Sequence, residues 1–158
     1  MSDWYLEDTN GVRHKARFER MRLSDSAKAK WTAGLDWRKE VKASDRQTYK
    51  LIDVATGSIQ GAVSISDAGD HVYIHFLEVA PPNRSSADPR RFENVTRLLI
   101  GFAGLASNKL GYDGFLVLTP KSHLEGYYAR NFNAFPVGRQ RMGIHGIVSN
   151  QLIGVYYT

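Results

Sequence analysis

The sequence predicts one α/β domain in which a mixed, mostly antiparallel central sheet is flanked by helices. The first half, up to residue 79, reads as hairpins and alternating strands. The second half carries a long amphipathic helix, a short apolar strand and another helix. A strand, a crossover helix and a second strand make the unit that produces a parallel pair. With 158 residues, the chain is expected to form a single domain over residues 1–158.

Strands dominate the first half. Asn10-Gly11 is a strong signal for a tight hairpin turn, because both residue types tolerate positive φ. Alternation of apolar and polar residues marks the strands beside it and a further antiparallel meander. The predicted strands cover residues 4–7, 12–18, 48–54, 58–66 and 71–79.

One helix is predicted between these strands. Ser24 is a good N-cap residue, and Ala27, Trp31 and Leu35 follow at a spacing of four. This pattern predicts a helix over residues 25–38.

Helical periodicity dominates the second half. A long amphipathic helix begins near Phe92 and ends at Gly111, and a short buried strand follows at 115–118. Pro120 opens a further helix to about residue 131, for which Asn133 is a plausible left-handed cap. The pattern then predicts an extended segment at 137–144 and a C-terminal helix.

Composition excludes several classes of function. The absence of cysteine excludes disulfides, thiolate metal sites and a cysteine nucleophile, and it suits a reducing cytoplasm, where we expect the protein to reside. No apolar run approaches the roughly 18 residues that a membrane span needs, and we expect no signal peptide. The net charge is +5, but basic and acidic residues are interleaved, so we expect a mixed solvated surface and no nucleic-acid partner.

Three stretches resemble the GNAT superfamily of N-acetyltransferases. They are HFLEVAPPNR, RFENVTRLLIGFAGLASNKLGYDG and FLVLTPKSHLEGYYARNFNAF, and the likeness runs from about Thr48 to Asn133. The resemblance implies a sheet in which two parallel neighbours splay apart and hold acetyl-CoA, or another acyl-CoA, as cosubstrate. It also implies that loop amides and the helix after the first of these strands bind the pyrophosphate.

The family pattern is carried over residue by residue. Leu77, Val79 and Pro81 match the strand motif, and Arg91 matches the first position of the pyrophosphate loop. Nearby arginines, Arg90 among them, add positive charge. The residues for which the resemblance implies a contact with the cofactor are Leu77, Val79, Arg84, Arg91, Asn94, Val95, Thr96 and Arg97.

The chain departs from the family pattern at two positions. Asn94 and Thr96 stand where two glycines are usual. Glycine permits close approach of the backbone and unusual dihedral angles, which a β-branched Thr adopts with difficulty. A helix that starts near Glu93 still leaves the amides of Val95, Thr96 and Arg97 free to meet phosphate. The departure also supports an alternative, a catalytically degenerate GNAT-fold binding or regulatory module.

Three side chains are candidates for the chemistry, one from the resemblance and two from their positions in the strand. Tyr128, in the string EGYY, aligns with the tyrosine that protonates the leaving thiolate, and Tyr127 points about 100° away around the helix. We therefore expect only one of the two to face the cleft. Glu78 is the candidate base that accepts the amine proton, and His75 is an alternative base, directly or through water. Both tyrosines can also be packing residues. No histidine spacing is typical of a metal site, and we expect no metal.

The acceptor is expected to be an amine on a small molecule, a peptide or a protein. Trp31, Trp37 and Tyr49 can line its pocket, although core packing explains the same residues. Members of the family are often dimers, so a homodimer is open as well. A third hypothesis, a basic nucleic-acid-associated protein, lacks any recognition helix or RNA-binding string.

Overall fold

A computed structural model describes residues 2–32 and 35–158. Within these residues the strands form one eight-stranded sheet in the order β1-β2-β3-β4-β5-β6-β8-β7. The strands are β1 Trp4–Glu7, β2 Arg13–Arg20, β3 Gln47–Asp53, β4 Ile59–Asp67, β5 Val72–Val79, β6 Leu116–Leu118, β7 Phe135–Gly138 and β8 Arg141–Ile144. The α-helices are α1 Trp37–Lys42, α2 Val95–Lys109, α3 Glu125–Phe132 and α4 Gly146–Tyr156.

The predicted mixed sheet is confirmed. β5 and β6 pair in parallel, whereas the other neighbouring strands of the described sheet pair antiparallel. The crossover between β5 and β6 contains α2, as the strand–helix–strand order predicted. Gly11 has a φ of 77° in the first hairpin, and Asn133 has a φ of 50° at the end of α3. Both turns were predicted from residue types that accept positive φ.

The main core lies between the sheet and α2 with α4. The buried face of α2 includes Val95, Leu98 and Leu99, which the sequence pattern places on one side of the helix. Gly61 on β4 allows the start of α2 to lie directly on the sheet. A Cβ at Gly61 would stand 2.9 Å from Cγ1 of Val95, closer than atoms normally approach. The N-terminus of α2 is therefore held against the centre of the sheet.

A smaller core covers the opposite face of the sheet. Trp37 is 1% exposed and packs with Met21, Ala29 and Ala62. This arrangement overturns the predicted helix over 25–38. Only a 3-10 turn, Leu23–Ala27, forms near Ser24, and α1 begins at Trp37, where the Asp36 carboxylate accepts from the amide of Arg38 at 3.0 Å.

The failure of that prediction has a physical reason. Burial of the Trp37 indole fixes where the helix starts, and the Asp36 cap outcompetes the Ser24 cap. The part of the predicted helix at residues 33 and 34 lies outside the described residues.

The segment predicted as extended at 137–144 is extended at 137–138 and 141–144, but an unpredicted turn divides it. It forms the hairpin of β7 and β8, with Arg139 and Gln140 in left-handed conformations at the turn. The C-terminal helix predicted after it is confirmed as α4.

Candidate active-site cleft

The parallel strands β5 and β6 part after three paired positions. Val72 to Ile74 pair with Leu116 to Leu118, whereas residues 75–79 of β5 have no partner on that side among the described residues. β6 ends at Leu118, and the chain turns away into Pro120. A fork therefore opens between the strands, as the sequence resemblance implied.

A β-bulge in β5 lies at the fork. Ser64 pairs with Phe76 while Ile65 pairs with Ile74, so His75 is the additional residue. Its Nε2 lies 2.7 Å from Oγ of Ser66. Burial, the largest cause, and the nearby Arg46 charge lower the pKa of His75, so its ring is neutral near pH 7.

Main-chain groups of β5 face the fork beyond the bulge. The Ala80 amide donates to the Gln60 carbonyl at 2.9 Å. Because hydrogen-bonded and non-bonded pairs alternate along an antiparallel ladder, the groups of Glu78 then face β4, and those of Leu77 and Val79 face the fork. These amide and carbonyl groups can extend the sheet to an elongated ligand in the fork.

The N-terminus of α2 lies at the far end of the same strand. Leu98 makes the first α-helical bond, to the Asn94 carbonyl at 3.1 Å. The amides of Val95, Thr96 and Arg97 have no acceptor within residues 2–32 and 35–158. None of these residues has positive φ, so the missing glycines are not required for the backbone conformation. Free amides and the helix dipole favour an anion here.

Three cavities join the fork to this helix end. The central cavity, about 440 Å³, is lined by Leu77, Glu78 and Arg84 among others. The helix-end cavity, about 300 Å³, shares Val79, Arg90 and Thr96 with it. The fork cavity, about 150 Å³, shares Leu77, Lys121, Leu124 and Tyr128 with it. The three cavities adjoin one another through these shared residues, and we refer to them together as the cleft.

Positive charge predominates in the cleft walls. Arginine and lysine side chains come from the loop before α2, from α2 itself and from the segment after β6. The carboxylates that line the central and helix-end cavities, within the described residues, are those of Glu78 and Glu93. The basic lining residues are Arg84, Arg90, Arg97 and Lys121. Such a surface suits an anionic ligand.

Tyr128 and Tyr127 both line the central cavity, which corrects the prediction that only one of them faces the cleft. The cleft curves around α3, so Tyr127 also meets the helix-end cavity and Tyr128 also meets the fork cavity. Tyr128 is 6% exposed, and its hydroxyl makes no hydrogen bond to a described residue. Burial, followed by the influence of Tyr127, raises the pKa of Tyr128 to about 12. The hydroxyl is therefore a free proton donor at neutral pH.

Glu78 lies on the sheet face opposite Leu77 and Val79. Its carboxylate is buried and accepts from Nε1 of Trp37 at 2.6 Å. Its other oxygen lies 3.5 Å from the Arg84 guanidinium. Arg84 also donates to Oγ1 of Thr32 at 2.9 Å. Glu78 is thus held between α1 and the loop before α2, with one edge on the central cavity.

Two of the predicted cofactor residues point elsewhere. The Asn94 side chain is buried and bonds to β1, accepting from the Glu7 amide at 2.8 Å. The Arg91 guanidinium lies 3.8 Å from Asp53 and stacks over the ring of Phe92. The other six predicted residues line the cleft: Leu77, Val79, Arg84, Val95, Thr96 and Arg97.

The aromatic residues expected near the acceptor are dispersed. Trp37 belongs to the smaller core, and Trp31 packs against it. Tyr49 packs on Phe102 of α2, away from the cleft. A separate cavity of about 740 Å³ is lined by residues between Leu23 and Arg38. It shares Thr32 with the central cavity.

Sequence reasoning missed several cleft residues on the segment after β6. Lys121, His123 and Leu124 line the central cavity, and Lys121 and Leu124 line the fork cavity as well. No pattern in the sequence marks them. The available signal was their position directly after a strand that ends at the fork, where ligands commonly bind in α/β sheets.

Two negative findings apply to the described ranges 2–32 and 35–158. No group of three or more histidine, aspartate or glutamate side chains is arranged to hold a metal ion. No helix there has the length and apolar character needed to cross a bilayer.

Comparison with solved structures gives the fold. No protein-family model matches the sequence, and no curated protein matches it. The PaiA N-acetyltransferase from Thermoplasma acidophilum in complex with coenzyme A is similar, with a TM-score of 0.53 and 10% identity over 82% of this chain and 96% of that chain. The ribosomal-protein-alanine N-acetyltransferase from Brucella melitensis biovar Abortus 2308 is similar with a TM-score of 0.55 and 12% identity. The match covers 78% of this chain and 94% of that chain.

A third similar structure is the AtaT–AtaR complex bound to DNA. It gives a TM-score of 0.59 and 10% identity over 87% of this chain and 99% of that chain. Identities this low show the fold alone. The chain therefore has the GNAT fold, which confirms the fold that the three sequence stretches implied.

Proposed function

We propose that the protein is an acyl-CoA-dependent N-acyltransferase that moves an acetyl group from acetyl-CoA to an amine by direct transfer in a ternary complex. The observation that carries the proposal is the open fork between β5 and β6, which adjoins the free amides of α2 through cavities that share lining residues. The similar PaiA N-acetyltransferase structure, which is in complex with coenzyme A, supports it.

The residues present fit this cosubstrate. Val95, Thr96 and Arg97 offer amides to the diphosphate, and Arg90 and Arg97 add charge in the helix-end cavity. Leu77 and Val79 offer main-chain groups to the pantetheine amides along the fork. When bound, acetyl-CoA would supply the activated thioester, and Tyr128 would meet it where the central and fork cavities adjoin.

Two side chains at the fork carry out the proton transfers, one as a base and one as an acid. Glu78 accepts the proton that the amine loses as its nitrogen attacks the thioester carbon. A main-chain amide of β5 donates to the oxygen that becomes negative. Tyr128 gives its proton to the sulfur as the carbon–sulfur bond breaks. Solvent then returns the proton from Glu78 to the tyrosinate, so the residues are regenerated.

Cofactor binding is the first test, because a catalytically degenerate module that does not bind acetyl-CoA would show no change in melting temperature. Acetyl-CoA at 100 times its dissociation constant should stabilise the fold by about 2.7 kcal/mol. For a domain of this size, that raises the melting temperature by roughly 5–10 °C. Differential scanning fluorimetry with acetyl-, propionyl- and succinyl-CoA measures it. No shift with any of them would support the degenerate module, and salt-sensitive DNA binding without a coenzyme A effect would support the nucleic-acid alternative.

The pH–rate profile tests the assignment of the base. Glu78→Gln keeps the size and the acceptor for Trp37 but cannot take a proton. We expect kcat to fall by about 10²–10⁴-fold and the fall in activity at acidic pH to disappear. His75→Asn serves as the comparison. If His75 were the base, its lowered pKa would place the acidic limb below pH 6.5, and His75→Asn would remove that limb while Glu78→Gln left it unchanged.

A further inference from the structure

The fork cavity has an apolar wall on the side away from the helix end. Leu35, Phe76 and Pro120 line it, together with Leu118 from the end of β6. Phe76 is 38% exposed, which is high for a phenylalanine on a central strand. Leu35 and Phe76 lie on the same sheet face as Glu78, because the alternation along β5 places Phe76 and Glu78 together. An acceptor approaching Glu78 from this face meets an apolar surface.

The same cavity has one cationic lining residue within the described part of the chain. Lys121 follows β6, is exposed and makes no ion pair with a described residue. No described carboxylate lines the fork cavity, and Glu78 in the central cavity already faces Arg84. The described lining of the central and fork cavities is therefore net positive.

Lys121 lies at the fork end of the cleft and not at the end suited to diphosphate. It lines the central and fork cavities, which meet at Tyr128, and does not line the helix-end cavity where Arg90 and Arg97 lie. Arg90 and Arg97 are thus available to the phosphates of coenzyme A, and Lys121 is available to bind an anionic group on the acceptor.

We propose that the acceptor is an amine that carries its own carboxylate beside an apolar body, as in an apolar α-amino acid, with Lys121 as the partner of that carboxylate. The inference rests on the proposed function and narrows its acceptor. An amine with an additional positive charge would be repelled by Lys121, whereas a carboxylate next to the amine makes the acceptor neutral overall. The apolar body lies against Leu35 and Phe76.

Three amines that share one aromatic body test the proposal. L-Phenylalanine carries the carboxylate, L-phenylalaninamide replaces it with a neutral group, and 2-phenylethylamine lacks it. We expect kcat/KM for L-phenylalanine to exceed that of the other two by roughly 10–100-fold, the usual effect of a charge-assisted hydrogen bond. Equal or better use of either analogue that lacks the carboxylate would overturn the proposal.

Charge reversal at Lys121 separates recognition from folding. Lys121→Glu should lower kcat/KM for L-phenylalanine by at least roughly tenfold, leave 2-phenylethylamine unchanged or improved, and keep the KM for acetyl-CoA within about twofold. Lys109→Glu, which makes the same charge change at the C-terminal end of α2, about 20 Å along the helix from its free N-terminal amides, should alter none of these values. A matching loss for all three amines, or a weaker affinity for acetyl-CoA, would overturn the role of Lys121.

Binding measurements keep the inference distinct from the proposed function. If acetyl-CoA raises the melting temperature but no amine is acetylated, the additional shift caused by each amine on the coenzyme A complex is measured. A larger shift with L-phenylalanine than with the other two supports the proposal, and equal or absent shifts overturn it. Absence of any coenzyme A binding would overturn the proposed function first and this inference with it.

Discussion

Replacement of Tyr128 by phenylalanine is expected to lower kcat by about 10²–10⁴-fold, the range for loss of a general acid. The hydroxyl bonds to no described residue, so its removal leaves no polar partner unpaired and should leave the free energy of unfolding nearly unchanged. The ring still fills its buried site between Tyr127 and Phe132. The affinity for acetyl-CoA should be kept, because the main-chain groups and arginines that hold it are untouched.

Tyr127→Phe is the matched control, since it removes the same atom from the adjacent residue of the same helix. We expect its kcat to stay within a few-fold of the wild-type value. Steady-state kinetics, with acetyl-CoA affinity from calorimetry, compares the two variants. Equal effects of the two substitutions, or an unchanged kcat in Tyr128→Phe, would remove Tyr128 from the mechanism.

The raised pKa of Tyr128 predicts how its contribution depends on pH. An acid acts in its protonated form, and with a pKa of about 12 Tyr128 stays protonated throughout the range in which the protein can be assayed. Its deprotonation therefore produces no loss of activity between neutral pH and about pH 10. Wild type and Tyr128→Phe should differ in rate by the same factor over that interval.

Local signals were sufficient for most of the fold. Asn10-Gly11, the Asn133 cap and the apolar face of α2 each act over a few residues, so the sequence displays them directly. The helix predicted over 25–38 failed because a distant contact, the Trp37 indole on Glu78, decides where α1 begins. The β7–β8 hairpin was missed because its turn places Arg139 and Gln140, which carry no turn signal, at positive φ.

The residues of the candidate site also differ in whether local signals or distant contacts determine their positions. The strand and helix-end residues could be placed because the family pattern orders them along one continuous segment. Lys121 and Leu124 enter the cleft only because β6 ends where β5 continues, a relation between two strands that neither segment displays alone. The turn of Arg91 toward Asp53 likewise depends on a hairpin far away in the sequence.

Asn94 shows how far a local pattern can mislead about the role of a residue. Its position in the family pattern suggests a phosphate contact, and a return to glycine would then improve cofactor binding. Its side chain instead accepts from the Glu7 amide at 2.8 Å and donates to the Tyr5 carbonyl at 3.0 Å, across 87 and 89 residues of chain. The two bonds attach β1 to the start of α2, so Asn94 has a structural role in holding the N-terminus of the helix against β1.

Asn94→Ala is therefore expected to destabilise the fold by about 2–3 kcal/mol, because two hydrogen bonds are lost and their main-chain partners are left unpaired. The melting temperature should fall by roughly 4–12 °C. The affinity for acetyl-CoA, measured well below that temperature, should change little. Asn108 also lies on α2, and its amide donates to the Asn150 side chain at the protein surface. Asn108→Ala should therefore shift the melting temperature far less. An unchanged melting temperature with a large loss of cofactor affinity in Asn94→Ala would instead make Asn94 a phosphate ligand.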